Sequence, residues 1–450
     1  MSNRSQRWVM KRRIYGDLFE QYLSISSELN DRLIVHRRPL NDLRERVAAC
    51  DQIHRSLYPP LSYALRLAWG CAREAALLKA DAYIAHDDVA LIAADYMTAK
   101  HGGILIYDAI EPFEADHKTW GYDAVIPSEA SAYYELVSRP ALLGAQTRFA
   151  TSQPLADFMQ ERYGVPFVTL PNYFSAPARP PSASRIREEC GCSERDFLIL
   201  YINSIYPASR FDEVLTALSR CEEAYHLVNL GDIRPESLKN EIDGLVSELG
   251  LTSRVHFFPA VPYEDFIGDI AACDAALVWL DDENVNCITN LHNRYIDAIA
   301  AGLPLLSSRN AAFVQLIEQY DLGFIVPDRD PETLAHDIAA ICERRDAFLP
   351  GLDRARSALR WNTVEGRFTG AVSGCRSATF ITTKNPMRNQ RIQRQIRTLQ
   401  GQGIEVSGIG SLAATMPGGG DIGTWVDIPD DFASADTDRT SALAEGAAPD

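Results

Sequence analysis

Polar side chains that could bind an anion or move a proton follow several apolar runs of this 450-residue sequence. His86 follows the run in "DAYIAHDD", and Asp108 and Glu111 lie in "ILIYDAIE". Histidine and carboxylate groups bind hydroxyl groups and transfer protons. Asn293 and Arg294 begin the helical pattern "HNRYIDAIAAG". An arginine beside the free N–H groups of a helix start favours a bound anion such as a phosphate.

Alternating strands and helices must position these residues. Apolar runs that end in polar loops, from "DAYIAHDD" to "FVTLPNY", are each followed by a helical pattern. A second, complete alternation runs from "FLILYIN" to "GFIVP". Its strands are continuous apolar runs, as expected for a parallel sheet that is buried on both faces. The sequence therefore predicts an α/β fold with two doubly wound, Rossmann-like domains.

A strand, a basic helix and a second strand follow the second alternation, within residues 377–428. The first alternation lacks its opening strand–helix–strand unit, and this late segment could supply it. We interpret the order as a circular permutation, which proteins tolerate where their termini lie close together at the surface. The alternative is a truncated tandem array, in which the last unit opens an absent repeat.

Composition limits the partners. The chain carries 61 acidic and 44 basic residues, a net charge of −17, which argues against nucleic acid as the main partner. The sequence contains neither a signal-peptide pattern nor an apolar run long enough to span a membrane, so we expect a cytoplasmic location.

The nine cysteines include no Cys-x-x-Cys pair, and Cys190 and Cys192 are separated only by Gly191. This spacing is too short for an ordinary disulfide or a regular zinc half-site. We therefore expect reduced, buried thiols and no metal site.

Several stretches together resemble one family. "NLHNRYIDAIAAGLPLLSS" resembles "SLPNKLFEYMAAGLPVIAS", and "TTKNPMRNQRIQRQIRTLQGQGIEV" is similar to "TNKDPRFDPRVRRQAETLAAAGYEV". "ADAYIAHDD", "ILIYDAIE", "FVTLPNY", "HLVNLGD" and "RVHFFPAVPYEDF" follow the same pattern in order. On these motifs the chain resembles the GT-B nucleotide-sugar glycosyltransferases, in particular the retaining glycosyltransferase family four.

The resemblance implies a five-part organisation. Residues 1–164 form the N-terminal, acceptor-side domain without its first βαβ unit, and residues 165–360 form the donor-binding domain. Residues 361–376 are a crossover helix and linker, residues 377–428 are the permuted βαβ unit, and residues 429–450 are an acidic, disordered tail.

The resemblance also implies a nucleotide-sugar donor bound between the two domains, without a cofactor or a metal. Asp297 would hold the ribose hydroxyls, and Asn293 and Arg294 would lie near the diphosphate. After the strand in "FLILYIN", Ser204 and Ser209 stand where the family places basic residues. Arg210 is expected to supply the positive charge in their place. The predicted donor-binding residues are Asn203, Arg210, Gly231, Asp232, Asn293, Arg294 and Asp297.

On the acceptor side, the resemblance implies catalytic roles for His86, Asp108 and Glu111, and an acceptor-side loop that contains Lys384 and Asn385. A histidine that is usual in the family is replaced here by Ile110. The implied function is transfer of a sugar, with retention, to a glycan or lipid-linked acceptor in cell-surface polysaccharide synthesis. A buried structural role is the alternative for His86.

Two other functions stay open. A degenerate GT-B protein would bind a nucleotide-sugar or a protein partner without turnover. A nicotinamide-dependent enzyme is disfavoured, because no Gly-x-Gly-x-x-Gly follows a strand.

The arginines of the predicted helix 388–397, together with basic residues near the N-terminus, could contact anionic lipids at the inner membrane face. The alternative is an ordinary solvated face. The arginines concerned are Arg388, Arg391, Arg394 and Arg397.

Overall fold

The computed structural model describes most of the chain from residue 78 onward. Residues 1–77 and the predicted tail at 429–450 lie outside the described residues. The described ranges are 78–112, 138–175, 186–410 and 424–427, with internal gaps at 207–208, 232, 234–235, 260, 262, 281–283, 327–328, 383–384 and 387–388.

The described chain divides into two compact units. Unit 1 comprises the described parts of Met1–Ala150, Met159–Leu170 and Glu365–Asp450, and unit 2 comprises those of Thr151–Phe158 and Pro171–Val364. Each unit has its own parallel sheet with helices between the strands.

The first elements follow from local sequence signals. Every residue of the first strand is buried. The first helix begins where Asp87 accepts a hydrogen bond of 2.7 Å from the Ala90 amide, and it ends at Gly102, whose φ is 82°. The elements up to residue 170 are β1 (Ala82–Ala85), α1 (Asp88–His101), β2 (Ile104–Ala109), α2 (Arg139–Gly144), β3 (Thr147–Ala150), α3 (Gln153–Tyr163) and β4 (Val168–Thr169).

The middle of the chain alternates strands and helices as the apolar pattern predicts. Its elements are α4 (Ile186–Glu189), β5 (Phe197–Tyr201), α5 (Phe211–Arg220), β6 (Tyr225–Leu230), α6 (Glu236–Glu248), β7 (Val255–Phe258), α7 (Tyr263–Ile270), β8 (Ala275–Val278), α8 (Val285–Thr289), α9 (Asn293–Ala301), β9 (Leu305–Ser307), α10 (Ala311–Tyr320), β10 (Gly323–Ile325), α11 (Pro331–Glu343) and α12 (Arg345–Ala358).

The last part of the chain returns to unit 1. The Asn389 side chain caps the long helix of this part by accepting hydrogen bonds from the amides of Arg391 and Ile392. A short 3₁₀ helix at Trp361–Thr363 precedes α13 (Glu365–Ala371), β11 (Ser377–Ile381), α14 (Gln390–Gly401), β12 (Glu405–Gly410) and β13 (Thr424–Asp427).

The sheet of unit 1 has the order β13-β12-β11-β1-β2-β3-β4 among the described strands, all parallel. Strand β11 lies directly beside β1, with Ala82 opposite Ala378. The Asp81 carboxylate fixes this junction by accepting hydrogen bonds from the backbone amides of Arg376 (2.8 Å) and Ser377 (3.2 Å). The prediction that the late strand joins the early sheet is confirmed.

Strand β13 was not predicted. It pairs with β12, and the Trp425 ring covers Gly408 of that strand. A Cβ atom at Gly408 would lie 2.6 Å from the Trp425 ring, so this packing needs glycine.

The sheet of unit 2 has the order β7-β6-β5-β8-β9-β10 in the described chain. Numbered from β5, this is the doubly wound order 3-2-1-4-5-6. The strand order reverses between β5 and β8, and ligands of such sheets bind outside the carboxyl ends of the strands at that point. A short helix, α8, lies between β8 and α9 in this unit.

The described helices include none that is both long and apolar enough to cross a bilayer.

Candidate functional site

The start of α9 lies just downstream of β8, one of the two strands at the reversal point of unit 2. Asn293 is the first residue of the helix, and its side-chain oxygen accepts a hydrogen bond of 2.5 Å from the Asn172 side chain. Asn172 belongs to the "LPN" stretch after β4. The structure therefore fixes one side of this helix start through a residue from a distant part of the sequence.

Arg294 is the second residue of α9 and is partly buried. Its side chain makes no hydrogen bond or ion pair within the described part of the chain. Its charge acts on the Tyr201 hydroxyl at the end of β5, where it opposes the effect of burial, which raises the pKa of Tyr201 to about 12. Within the described residues, the Arg294 charge therefore acts near the carboxyl end of β5 and is available to an anion.

His292, the N-cap residue of α9, is held neutral. Burial, with a smaller effect from the Arg294 charge, lowers the pKa of His292 to about 3. The imidazole therefore adds no positive charge to the helix start near neutral pH. Arg294 supplies the charge there.

Asparagine side chains hold the backbone ahead of α9. Asn284 caps α8, and the side-chain amide of Asn290 donates a hydrogen bond of 2.9 Å to the side-chain oxygen of Asn286. The side-chain amide of Asn310 donates hydrogen bonds to the backbone carbonyls of Cys287 (2.7 Å) and Asn290 (2.9 Å). These bonds satisfy buried polar groups and keep the loop in one conformation.

Asp297 lies one turn into α9 and is buried. The Tyr263 hydroxyl donates a hydrogen bond of 2.8 Å to its Oδ1 atom. A carboxylate has about four acceptor positions, so Asp297 can bind Tyr263 and ligand hydroxyls together. The structure thus brings three predicted donor-site residues, Asn293, Arg294 and Asp297, onto one helix start.

The end of β5 provides a second polar group of residues. Asn203 is buried, and its backbone carbonyl accepts a hydrogen bond of 2.7 Å from Asn229, which lies on β6. The side-chain oxygens of Asn203 and Asn229 are buried without a hydrogen-bond partner among the described residues. Buried polar atoms without partners are rare in folded proteins and are a mark of ligand sites. Gly231 follows β6 and approaches this loop.

Arg210 stands at the start of α5 in a left-handed conformation, with φ 51°. Its side chain is 55% exposed and forms an ion pair with Glu213, which is 8% exposed. Glu213 also accepts hydrogen bonds from Trp279 (2.8 Å) and Arg329 (3.1 Å). Two arginines therefore surround one buried carboxylate, and Arg210 is partly neutralised.

Two of the three predicted catalytic residues, His86 and Asp108, lie in a buried cluster of unit 1. The Asp108 carboxylate accepts hydrogen bonds from Arg391 Nε (2.7 Å), Arg391 Nη2 (2.5 Å) and Gln395 (2.6 Å). His86 Nδ1 lies 3.3 Å from Asp108 Oδ2, and its ring stacks on Phe380. His86 and Asp108 have no exposed surface.

The electrostatics of this cluster favour a fixed charge state. Burial by itself would raise the pKa of Asp108, but the charges of Arg391 and His86 and the hydrogen bonds outweigh it and lower that pKa. Burial lowers the pKa of His86, opposed by the charge of Asp108. A permanently ionised, fully bonded Asp108 suits a positioning role better than proton transfer.

The basic helix requires a correction. Arg391 and Arg394 are buried in unit 1, so they lie neither on a lipid-facing surface nor on an ordinary solvated face. The reason is that Arg391 pairs with Asp108 and also donates to the Leu170 carbonyl at 2.9 Å. Arg397 is exposed and bonds to Gln393. Arg388 lies outside the described residues.

The remaining predicted residues are placed as follows. Glu111 and Asn385 are half-buried, and each has an interaction partner. Asp232 and Lys384 lie outside the described residues.

Sequence reasoning missed Glu213, Arg329, Tyr263 and the asparagines around α8. Tyr263 and Asn172 stood in motifs already singled out. Glu213 and Arg329 are 116 positions apart, and no local pattern connects them.

Solved structures similar to this chain define its class. Anabaena HepE in complex with UDP-glucose matches with a TM-score of 0.54 and 18% identity, over 68% of this chain and 81% of that chain. The sucrose-phosphate synthase of Thermosynechococcus elongatus matches with a TM-score of 0.53 and 14% identity, over 64% of this chain and 72% of that chain. The chain has the GT-B fold, with two Rossmann-like domains.

Part of unit 2 also matches a protein family by sequence. Residues 196–344, from just before β5 to the last turn of α11, match the family model for glycosyl transferases group 1. No curated protein matches the chain by sequence.

Proposed function

We propose that this protein is a glycosyltransferase that uses a nucleotide-sugar donor. The observation that carries the proposal is the start of α9, where Arg294, beside Asn293 and Asp297, makes no hydrogen bond or ion pair among the described residues. This helix lies inside the segment that matches the glycosyl transferases group 1 family. HepE, whose structure is similar to that of this chain, is described in complex with UDP and with UDP-glucose.

In the proposed donor complex, Arg294 and the first N–H groups of α9 bind the diphosphate. Their fixed positive potential stabilises the charge that develops on the leaving nucleoside diphosphate. Asp297, oriented by Tyr263, accepts hydrogen bonds from the ribose hydroxyls. The side-chain oxygen of Asn203, which has no hydrogen-bond partner among the described residues, would bind a further donor hydroxyl or amide.

We further propose transfer with retention and without a metal or cofactor. The bond from the anomeric carbon to the phosphate oxygen breaks, and an acceptor hydroxyl oxygen bonds to the anomeric carbon on the same face. The acceptor hydroxyl proton passes to the leaving nucleoside diphosphate. Arg294 and Arg210 would do the work of charge neutralisation that a divalent cation performs in other transferases. The acceptor class we propose is a glycan or a lipid-linked glycan of the cell surface.

The test is a turnover assay over a panel of nucleotide-sugars, with and without glycan acceptors, in the presence of a chelator. We expect one donor to be consumed, with an α-linked donor giving an α-linked product by NMR. Arg294→Ala should abolish most of this turnover, whereas Arg309→Ala, a matched change at an exposed arginine, should not. An inverted product would refute retention, and dependence on a divalent cation would refute the metal-independent mechanism.

A second candidate is a GT-B protein that binds a nucleotide-sugar without turnover. It is favoured by the burial of His86 and Asp108 and by the pairing of Arg210 with Glu213. Tight binding of a donor that no acceptor and no water consumes would support this candidate over the enzyme.

We also infer that the chain order is permuted relative to a GT-B protein that begins with strand 1. With β11, β12 and β13 taken as strands 1 to 3, the sheet of unit 1 reads 3-2-1-4-5-6-7, which begins with the same 3-2-1-4-5-6 order as unit 2. A chain that starts before β11 and continues through a linker into β1 should fold and function like the native chain. Deletion of 373–450 should unfold unit 1, and a stable, monodisperse truncated chain would contradict the permutation.

A further inference from the structure

Two cysteines and two histidines from three separate elements meet at the β7 edge of the sheet of unit 2. The sulfur atoms of Cys190 and Cys192 and a ring nitrogen of His256 all lie within 4.8 Å of one another. A second group of the same size shares Cys192 and adds Asp196 and His226. These residues belong to the turn after α4, to β6 and to β7.

The turn after α4 explains how two cysteines so close in sequence come together. The amide of Gly191 donates to the Glu188 carbonyl (3.0 Å), and the amide of Cys192 donates to the Arg187 carbonyl (2.9 Å). These two bonds form a Schellman motif, and Gly191 has the left-handed φ of 67° that the motif requires. The sharp reversal brings the thiols of Cys190 and Cys192 into one group, which the sequence spacing alone does not predict.

The two histidines come from neighbouring parallel strands. His256 of β7 lies opposite Val228 of β6, and His226 lies two residues before Val228, on the same face of the sheet. His226 Nδ1 is 3.1 Å from His256 Nε2, and the rings are within 9° of parallel. The strands therefore hold two imidazole nitrogens close to each other and to Cys192.

We propose that Cys190, Cys192, His226 and His256 bind one zinc ion, a function separate from glycosyl transfer. Thiolate and imidazole are the ligands that structural zinc sites use, in sets of four. With zinc–sulfur and zinc–nitrogen bonds of about 2.3 and 2.0 Å, ligand atoms of a tetrahedral site lie about 3.3–3.8 Å apart. The two histidine nitrogens already have nearly this separation. Cys190 and His226 belong to different groups that share Cys192, so binding of one ion would draw these two side chains together.

The surrounding charges are compatible with a cation. The Asp196 carboxylate is fixed by hydrogen bonds from the Ser193 amide (2.6 Å) and hydroxyl (2.8 Å), next to His226. A carboxylate beside a ligating histidine is the usual support of a zinc site. Arg187 and Arg254 are opposing charges near His226. The Arg187 guanidinium is engaged by Asp274 at 2.9 Å, and that of Arg254 donates to the backbone carbonyls of Tyr225, Leu218 and Glu222.

Binding must displace the thiol protons. Burial, and then the neighbouring Cys192, raises the pKa of Cys190 to about 12, and burial also raises the pKa of Cys192. One zinc ion therefore replaces two thiol protons, which pass to solvent, and the two thiolates balance the charge of the ion. Because all four ligands come from the protein, the zinc ion would cross-link the α4 turn to β6 and β7. It would have no open coordination position for a substrate.

The test measures metal content of the full-length chain, purified under reducing conditions, loaded with zinc and passed over a desalting column. We expect one zinc ion per chain. Cys190→Ser combined with Cys192→Ser, and separately His256→Ala, should lose it. Cys375→Ser is the matched control, because Cys375 is also partly exposed and belongs to no metal-binding group among the described residues. A wild-type chain without zinc, or zinc that survives the cysteine and histidine changes, would overturn the proposal.

A second measurement uses the unaltered chain, so it does not depend on the folding of variants. Cobalt(II) should give the thiolate-to-metal charge-transfer absorption of a tetrahedral site, and zinc should protect Cys190 and Cys192 from alkylation while Cys375 still reacts. Equal alkylation with and without zinc, or a disulfide between Cys190 and Cys192 under reducing conditions, would overturn the proposal. Loss of glycosyl transfer would leave these results unchanged.

Discussion

The two units hold their central arginines in opposite ways. In unit 1, Arg391 donates two hydrogen bonds to Asp108 and a third to the Leu170 carbonyl, and it has almost no exposed surface. In unit 2, Arg294 stands at the start of α9 without a partner among the described residues. A saturated, buried arginine stabilises the fold, whereas an unsaturated one at a helix start is placed to bind an anion.

Arg210 is an intermediate between these two cases. It is half-exposed, but it is paired with Glu213, which also accepts hydrogen bonds from Arg329 and Trp279. Its charge can contribute to the potential near the donor, although Glu213 already neutralises part of it. The comparison therefore ranks Arg294 above Arg210 as the residue on which anion binding depends.

The largest expected effect is on the stability of unit 1. Arg391→Ala leaves the Asp108 carboxylate buried without its cation, which should lower the free energy of unfolding by about 3–5 kcal/mol. Denaturant unfolding followed by circular dichroism measures this. Arg397→Ala, a change at an exposed position of the same helix, should stay within about 0.5 kcal/mol of the native chain. Equal free energies of unfolding for the two variants would contradict the claim that the paired, buried Arg391 stabilises unit 1.

The second prediction concerns activity. Arg294→Ala should lower kcat/KM for the donor by about 10²–10³-fold, the usual effect of removing one group that stabilises transition-state charge. The free energy of unfolding should change little, because Arg294 makes no hydrogen bond or ion pair to lose within the described residues. Arg294→Lys should recover only part of the rate, since lysine keeps the charge without the planar fork. An Arg294→Ala chain that is destabilised but fully active would show that Arg294 stabilises the fold and does not act on the donor.

The third prediction tests the neutral state of His292. Its pKa is about 3 in the folded chain and close to the ordinary value of 6.5 when unfolded. As the pH falls from 6.5 to 3, the unfolded state takes up a proton that the folded state does not. The free energy of unfolding should therefore fall, by up to about 1.4 kcal/mol per pH unit from this group.

His292→Gln should make the slope of stability against pH shallower by about one proton in that window. His336→Gln, at an exposed position, serves as the matched control. A slope that His292→Gln leaves unchanged would mean that the imidazole is already charged in the folded chain, so that Arg294 is not the main source of charge at the helix start.

The smallest expected effect comes from Tyr263, which orients Asp297. Tyr263→Phe removes one hydrogen bond to the carboxylate, worth about 0.5–1.5 kcal/mol, so KM for the donor should rise about 2–10-fold. The value of kcat should stay close to that of the native chain. A loss in kcat with an unchanged KM would place Tyr263 in the chemical step instead.

The sequence predicts the fold well because strands such as β1 and β8 are apolar at every position and are bounded by polar loops. The proposed donor residues Asn293, Arg294 and Asp297 could be selected from the sequence because they lie within five consecutive positions of one motif. The helix α8 was missed because it has only five residues.

The cluster around Asp108 could not be predicted from local patterns. Asp108 and Arg391 are 283 positions apart, and their pairing depends on β11 lying next to β1. The arginines of α14 could be expected on the surface of the protein from their charge. The sequence of a helix does not show which other elements of the fold will pack against each of its faces. The thiol and imidazole cluster was hidden for the same reason, because it joins the α4 turn to two strands.

The most direct test of the account is equilibrium binding of a nucleotide-sugar panel and of the matching free nucleoside diphosphates, measured by calorimetry. We predict that one donor and its diphosphate bind to the native chain and to Arg309→Ala with the same affinity, and that both bind at least tenfold more weakly to Arg294→Ala. Undiminished diphosphate binding by a folded Arg294→Ala chain would contradict the assignment of the α9 start as the donor site.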